Sequence, residues 1–471
     1  MMNLNQKKWL MIKRTQAFRW VSLLILTTCF LPAFSFTHPN MFLNASEIEA
    51  IKAKVNVSPW KEAYNKLMSQ ANNALSAGPF SVTFGGNTTC GGSSSYCTEP
   101  YYGGSDRYDF DNVVLPLSAA VRDLGLAYVF SGDAKYADRA LLLIRVFAID
   151  PTTAMKPQFT NSQSDIDMMS TLPGFFYGAD LIWNYSGWDA SEKATFKGWV
   201  KAIGTNRMLK GVGNNNFANW KNAFVAATGQ LAEDQALLDY AFQRYKEMIP
   251  IQVEGNGRLG WEYNRSQGGL HYSFYATQAM TYCAEIARHQ GIDLYNYKHP
   301  GTNKGLELIY DYLAPYVVNP SSWPYVLGGL TGTSAMEYAY LAWGKPIYLD
   351  AINARGRPLS LGFWAGGVVT LTHARGAYPF TFGPSVSAPE ITPHGGEFEL
   401  SAQISITSLT SGASIRYTTN GSTPNINSTL YSGPFTLTTN ATIKAMAFKD
   451  ELQSSVTSAT FTISGPDNTP P

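Results

Sequence analysis

Charge is scarce in this sequence. Asp, Glu, Lys and Arg together make up 15% of 471 residues, well below the usual quarter. The two signs nearly cancel, with 35 basic against 34 acidic side chains and a formal net charge of +1. No global field gathers nucleic acid or an acidic membrane surface, so an anionic ligand has to be gripped by local groups. Cysteine is rarer still, at four, and histidine numbers six. No His, Cys, Asp and Glu cluster has metal-ligand spacing, so neither a metal nor another cofactor is expected. No tetratricopeptide or ankyrin consensus is visible, so an ordinary repeat solenoid is not supported.

Aromatics are plentiful at 13%, including 11 Trp and 27 Tyr. Most of them serve core packing, and the remainder suit an elongated groove lined by flat rings. The N-terminus carries a basic leader (Lys7, Lys8, Lys13, Arg14, Arg19), the apolar run Val21 to Pro32, then small residues around Ser35. This reads as a secretory signal over residues 1–35 and implies a secreted or periplasmic protein with no membrane attachment after cleavage. The apolar run is short for a membrane span. Export makes a short disulfide loop between Cys90 and Cys97 expected, across small residues. Cys283 lies on an apolar helical pattern and reads as a buried thiol.

From 36 to 384 the periodicity is helical. Segments at Leu115–Phe130, Ala134–Phe147, Thr171–Tyr185, Ala190–Ile203, Trp220–Thr228, Asp234–Ile249 and Leu270–Gln290 follow one another with short polar connections. Stacked helical hairpins result, and a large all-α (α/α) toroid or incomplete barrel fits them best. From 385 to 463 the pattern changes to alternation, as in Ile404–Ile406, Ser414–Thr419, Thr442–Ala447 and Ala459–Ile463, with Gly, Asn, Ser and Pro between. A small antiparallel β-sandwich is expected there, followed by a disordered tail over 464–471.

Two segments carry candidate chemistry. Asn214, Asn215, Asn216 and Asn219 cluster just ahead of Trp220, and Arg265, His271 and Tyr272 fall within eight positions. Removing the C5 proton of a uronic acid requires that the neighbouring carboxylate's charge be spread as the enolate forms. Amides and a guanidinium can do this without titrating. A phenol or imidazole can then move the proton. Each residue also has a plainer use: an asparagine as helix cap, Arg265 as ion-pair partner of Glu262 or Glu285, Tyr272 as a half-buried ring. Gly268 and Gly269 place the helix start near Leu270, leaving Arg265 on the preceding turn.

The stretches Asn215–Trp220, Asp234–Tyr245 and Arg265–Tyr272 resemble the alginate-lyase family of α/α-toroid polysaccharide lyases. Phe36–Asn40, Thr160–Gln163, Glu285–Arg288 and Gly291–Tyr295 extend the similarity over most of 36–384. The resemblance implies that Asn216 and Arg265 neutralise a uronate while Tyr272 moves protons. It implies a histidine directly after the asparagine as well, and here that position is Phe217. Either His271 supplies the imidazole or Tyr272 acts as both base and acid. Ile415–Pro424, Tyr431–Phe435 and Thr442–Ala447 resemble the chitobiase/β-hexosaminidase C-terminal type of domain, which implies a fold and no chemistry.

The expectation is therefore a monomeric polysaccharide lyase that cleaves a β-1,4-linked acidic polysaccharide by β-elimination. Mannuronate-rich alginate comes first and glucuronan second. Tyr272, His271, Arg265 and Asn216 are the catalytic candidates; Asn219 joins the carboxylate clamp, and Asn215, Gln163, Tyr263, Trp220 and Gln267 are substrate-binding candidates. The rivals are a glycoside hydrolase on the same scaffold, which needs two opposed carboxyl groups among Glu262, Asp165 and Asp167, and a non-catalytic glycan-binding protein.

Overall fold

The structure is a computed structural model that describes residues 36–81, 110–155, 162–361, 365–380, 389–408, 412–449, 452–454 and 456–465. The leader, both cysteines of the expected disulfide (Cys90 and Cys97), the boundary at 384 and the tail beyond Gly465 lie outside the described residues.

Helices α1 (Ala45–Lys52) and α2 (Trp60–Ala74) precede an alternating series. The series comprises α3 (Leu115–Ser131), α4 (Ala134–Ile144), α5 (Ser162–Leu181), α6 (Ala190–Leu209), α7 (Asn216–Ala232), α8 (Gln235–Gln252) and α9 (Gly269–His289). Short polar residues start four of these helices, α4, α6, α7 and α8. Asp133 accepts from the Lys135 N–H, Asp189 from Ser191 and Glu192, Asn215 from Phe217 and Asp234 from Leu237.

The odd members α3, α5, α7 and α9 pack side by side, and α4, α6 and α8 lie against them. Contacts run on from α9 through α10 (Leu306–Val318), α11 (Met336–Trp343) and α13 (Val369–His373) to α2 and back to α3, with α12 (Pro346–Arg355) against α10. The result is an α/α ring. Helices α7 and α9 are buried around almost their whole circumference, so their polar residues face neighbours instead of water. The long apolar stretch of α3 has the same cause: 72% of its most apolar window is buried inside the ring.

Close packing of α3 on α5 depends on glycine. A Cβ added to Gly178 would lie 2.2 Å from the Val121 carbonyl oxygen, and one on Gly125 would lie 2.8 Å from the Gly178 carbonyl oxygen. The expected helix at Thr171–Tyr185 is displaced for a related reason. Helix α5 begins at Ser162 and ends at Leu181, because its core-facing residues cover all sides and leave no stripe to mark its ends.

At its C-terminal end α9 enters a buried ionic network. Arg288 binds Glu285 at 2.5 Å and Glu47 of α1 at 2.7 Å, and His289 meets Glu47 at 2.9 Å. Tyr295 donates to Glu285 at 2.7 Å, and His373 Nε2 lies 3.5 Å from Glu285. Cys283 is a buried free thiol whose pKa burial pushes up.

Strands β1 (Glu390–Thr392), β3 (Ala402–Thr407) and β6 (Phe435–Leu437) form one sheet. The other runs β2 (Gly396–Glu399), β9 (Thr457–Ser464), β7 (Ala441–Lys449), β4 (Ser414–Thr418) and β5 (Thr429–Leu430), with β8 (Leu452–Gln453) also on β7. Ile391, Ile404, Ile406, Ile415, Leu437, Ile443 and Phe461 share its core, following the alternation in sequence. The sheets are not wholly antiparallel: β2 pairs with β9 in parallel. A two-residue turn cannot produce a parallel pair, and some sixty residues of chain separate these strands, so local spacing gives no hint of it.

Candidate active site

The N-terminal end of α9 is where the sequence candidates meet. Gly268 stands at φ +135°, and a Cβ on it would lie 2.6 Å from the Cα of Gly328. That close crossing brings loop 325–329 onto the helix end. The Gly269 N–H donates to the Val326 carbonyl at 2.6 Å and the His271 N–H to the Leu327 carbonyl at 3.1 Å. Two otherwise orphaned first-turn N–H groups are thereby satisfied.

Arg265 precedes the helix on a turn, and its guanidinium lies 4.0 Å from the centre of the Tyr272 ring. This places a fixed cation on the face of the phenol. Arg265 also pairs with Glu262 at 3.3 Å. Glu262 is 2% exposed. It accepts the backbone N–H of Asn216 at 2.6 Å and the Asn216 amide at 3.0 and 3.1 Å. Burial pushes the Glu262 pKa up, opposed by the Asn216 hydrogen bonds and the charge of Arg265. One carboxylate thus ties the start of α7 to the turn before α9.

His271 and Tyr272 have perpendicular rings 5.3 Å apart, and Tyr275 lies 6.2 Å from each, parallel to His271. Burial lowers the His271 pKa, favouring neutral imidazole, and outweighs a hydrogen bond with the Gly329 backbone that raises it. Tyr275 interacts with Ser170 of α5, and burial raises its phenol pKa.

Several expected roles change. Trp220 is 0% exposed and packs on Tyr275 and Tyr282, so it is a core residue and offers no face to a sugar. The Asn219 amide is buried and donates to Gln252 at 2.8 Å, which removes it from the clamp. Asn215 is the α7 cap, and its carbonyl accepts from Gln252 at 3.2 Å. Asn216 is 1% exposed and faces Glu262, so it supports the site from inside. Gln163 falls in the first turn of α5, and its side chain lies outside the described residues. Tyr263 is half-buried under the Arg258 guanidinium at 3.9 Å, and Gln267 is exposed on the turn. Of the rival acids, Asp165 is held by Arg207 at 2.7 Å and Lys210 at 2.8 Å.

Tyr275, loop 325–329 and Glu262, the last expected only as an ion-pair partner or a rival acid, also lie against these candidates. Tyr275 could have been found from its spacing, one helical turn beyond both His271 and Tyr272. The loop could not, because nothing in its own sequence points to residues nearly sixty positions earlier.

The alginate lyase family model matches residues 52–323, more than half of the chain, and the chitobiase/β-hexosaminidase C-terminal domain matches residues 393–461. A polysaccharide lyase of Stenotrophomonas maltophilia (strain K279a) is 27% identical over 164 residues, 35% of this chain and 43% of that one. An alginate lyase of Pseudomonas syringae pv. syringae (strain B728a) is 33% identical over 107 residues, 23% of this chain and 27% of that one. The chain thus spans less than half the length of the curated relatives it matches. Among solved structures, an alginate lyase from Bacteroides ovatus superposes with a TM-score of 0.60 at 22% identity, covering 72% of this chain and 100% of that one. A variant of alginate lyase A1-III complexed with tetrasaccharide gives a TM-score of 0.53 at 18% identity, covering 70% and 94%. At these identities the structural likeness establishes the toroid fold, and the family match carries the assignment. The chain belongs to the alginate lyase family.

Proposed function

We propose that the protein is an exported polysaccharide lyase that cleaves β-1,4-linked polyuronate by β-elimination, with mannuronate-rich alginate as first substrate and glucuronan as second. The observation that carries the reading is the Arg265 guanidinium lying 4.0 Å over the Tyr272 ring in a half-open site. Arg265 has five N–H donors, and its contact with Glu262 leaves others for a uronate carboxylate. As charge builds on that carboxylate, the guanidinium stabilises the enolate. Tyr272, as the phenolate, takes the C5 proton, the C4–O bond breaks as C4=C5 forms, and the resulting phenol gives that proton to the departing O4. Proton and leaving group on one face make a single tyrosine sufficient.

Phe217, in the position where the resemblance implies histidine, supports this single-tyrosine route. Glu262 positions Asn216 and Arg265 by its three-way contact. The basic leader and apolar run support export. Incubation with mannuronate-rich alginate and with glucuronan, followed by ultraviolet absorbance, tests the reading. Absorbance from the new C4=C5 bond is expected. New reducing ends without that chromophore would instead indicate hydrolysis, and neither signal would indicate a binding protein.

A further inference from the structure

Although aromatics make up 13% of the chain, only two aromatic side chains among the described residues are exposed outright: Trp261 at 57% and Tyr325 at 42%. Both belong to the segments that build the site. Trp261 immediately precedes Glu262, and Tyr325 precedes Val326, whose carbonyl receives the Gly269 N–H. Single exposed apolar residues are ordinary on any surface. Here the exposed rings are confined to the two segments flanking one helix end, which is the distribution of a binding margin.

Tyr325 is not a loose surface ring. It packs edge-on against Tyr263 at 5.0 Å, and Trp323 lies 6.1 Å behind it. Trp323 in turn contacts Tyr316 at 4.8 Å, and Tyr316 contacts Tyr312 at 5.6 Å. The Arg258 guanidinium covers Tyr263 at 3.9 Å. Tyr325 is thus the solvent-facing end of a packed aromatic ladder, held in place before any ligand arrives. A rigid flat ring binds with little loss of rotamer freedom.

We propose that Trp261 and Tyr325 are sugar-stacking platforms for polyuronate residues beyond the reacting one, so that the protein grips an extended stretch of polymer. The proposal rests on the polyuronate reading above and adds residues and a substrate length to it. A pyranose ring presents C–H groups on its face and polar groups at its edge, which suits contact with an aromatic plane. Apolar platforms also answer the charge scarcity of the chain. They hold a polyanion through its ring faces without a surplus of cations.

The test compares Trp261→Ala and Tyr325→Ala on polymeric substrate and on a trisaccharide, with melting curves to confirm folding. Tyr325→Leu serves as a second variant that fills the space against Tyr263 without a flat face. The loss should fall on KM for polymer, roughly tenfold for each platform, with a much smaller change for the trisaccharide. Polymer affinity measured calorimetrically in a Tyr272→Phe background should fall by the same factor. An unchanged polymer KM and affinity, or equal losses on long and short substrates, would overturn the proposal. If wild-type protein forms no unsaturated product from any polyuronate, the lyase reading fails by itself. The platforms are then judged by polymer affinity alone.

Discussion

The two ends of α9 are built from the same residue types and do opposite things. At the C-terminal end Arg288, His289, Glu285, Glu47, His373 and Tyr295 form a buried network that borders a pocket lined by Asn44, Glu47, Arg288, His289 and Tyr378, and the central Arg288 is paired at short distance with two carboxylates. At the N-terminal end Arg265, His271, Glu262 and Tyr272 are fewer and partly open, with the guanidinium shared between a carboxylate and the face of a phenol. The first arrangement holds α1 to the ring. The second leaves a cation and a phenol able to meet a ligand. A cluster of Arg, His, Glu and Tyr therefore says little by itself; exposure and incomplete compensation separate a site from a brace.

The sharpest way to break this comparison is to remove one hydroxyl from each end. Tyr272→Phe is expected to lower turnover by about 10³-fold or more, read by the appearance of unsaturated product. Tyr295→Phe should leave kcat near wild type and lower only the melting temperature. Equal activity losses would end the distinction.

Removing the arginines comes next. Arg288→Ala strips the cation from between two buried carboxylates and should cost about 3–5 kcal/mol in denaturant unfolding. Arg265→Ala should lower kcat by about 10²-fold with little change in the unfolding midpoint.

The pKa shifts of the two carboxylates run in opposite directions, which pH can expose. His289 and Arg288 outweigh burial and hold the Glu47 pKa at about 2, below its ordinary 4.5. Its stabilising contribution is therefore complete above pH 4.5 and lost as pH falls toward 2, and on this shift it amounts to roughly 3 kcal/mol. Glu262 is shifted upward by burial, so ionising it opposes folding. The stability it contributes as the protonated acid is present below its ordinary pKa and lost as pH rises through the folded value. Urea unfolding across pH should show Glu47→Gln without the wild-type loss below pH 4.5. Glu262→Gln should match or exceed wild type at pH 7 while losing activity.

The smallest expected effect concerns His271. With its Nδ1 buried and its ring at right angles to Tyr272, His271→Asn should lower kcat by about tenfold or less. A loss as large as that of Tyr272→Phe would make the imidazole the base.

Much of the architecture was legible because it depends on local patterns. The helix starts near Ala134, Ala190 and Asp234 follow from periodicity after short polar connections, and the alternation at Ile404–Ile406 and Thr442–Ala447 marks the sandwich core. The misjudged start of α5 has a physical origin, since a helix buried on all sides shows no stripe. For the site, the asparagine cluster and the Arg265–Tyr272 spacing were visible, but their roles were not. A sequence cannot tell an amide facing solvent from one already donating to a buried partner. Trp220 and Asn219 therefore looked like site residues until their burial was known.

What the sequence determined alone was the kind of scaffold, the break into two folds, and the short list of groups able to spread a carboxylate's charge and move a proton. Those follow from periodicity and from side-chain chemistry, which travel with each residue. Only the tertiary structure decided which of those groups remain open. Glu262 claims Asn216, Gln252 claims Asn219, and a loop from residues 325–329 caps α9 at a crossing tight enough to require glycine on both sides. Each outcome depends on segments distant in the chain and adjacent in space, and hydrogen-bond partners are chosen by distance through space.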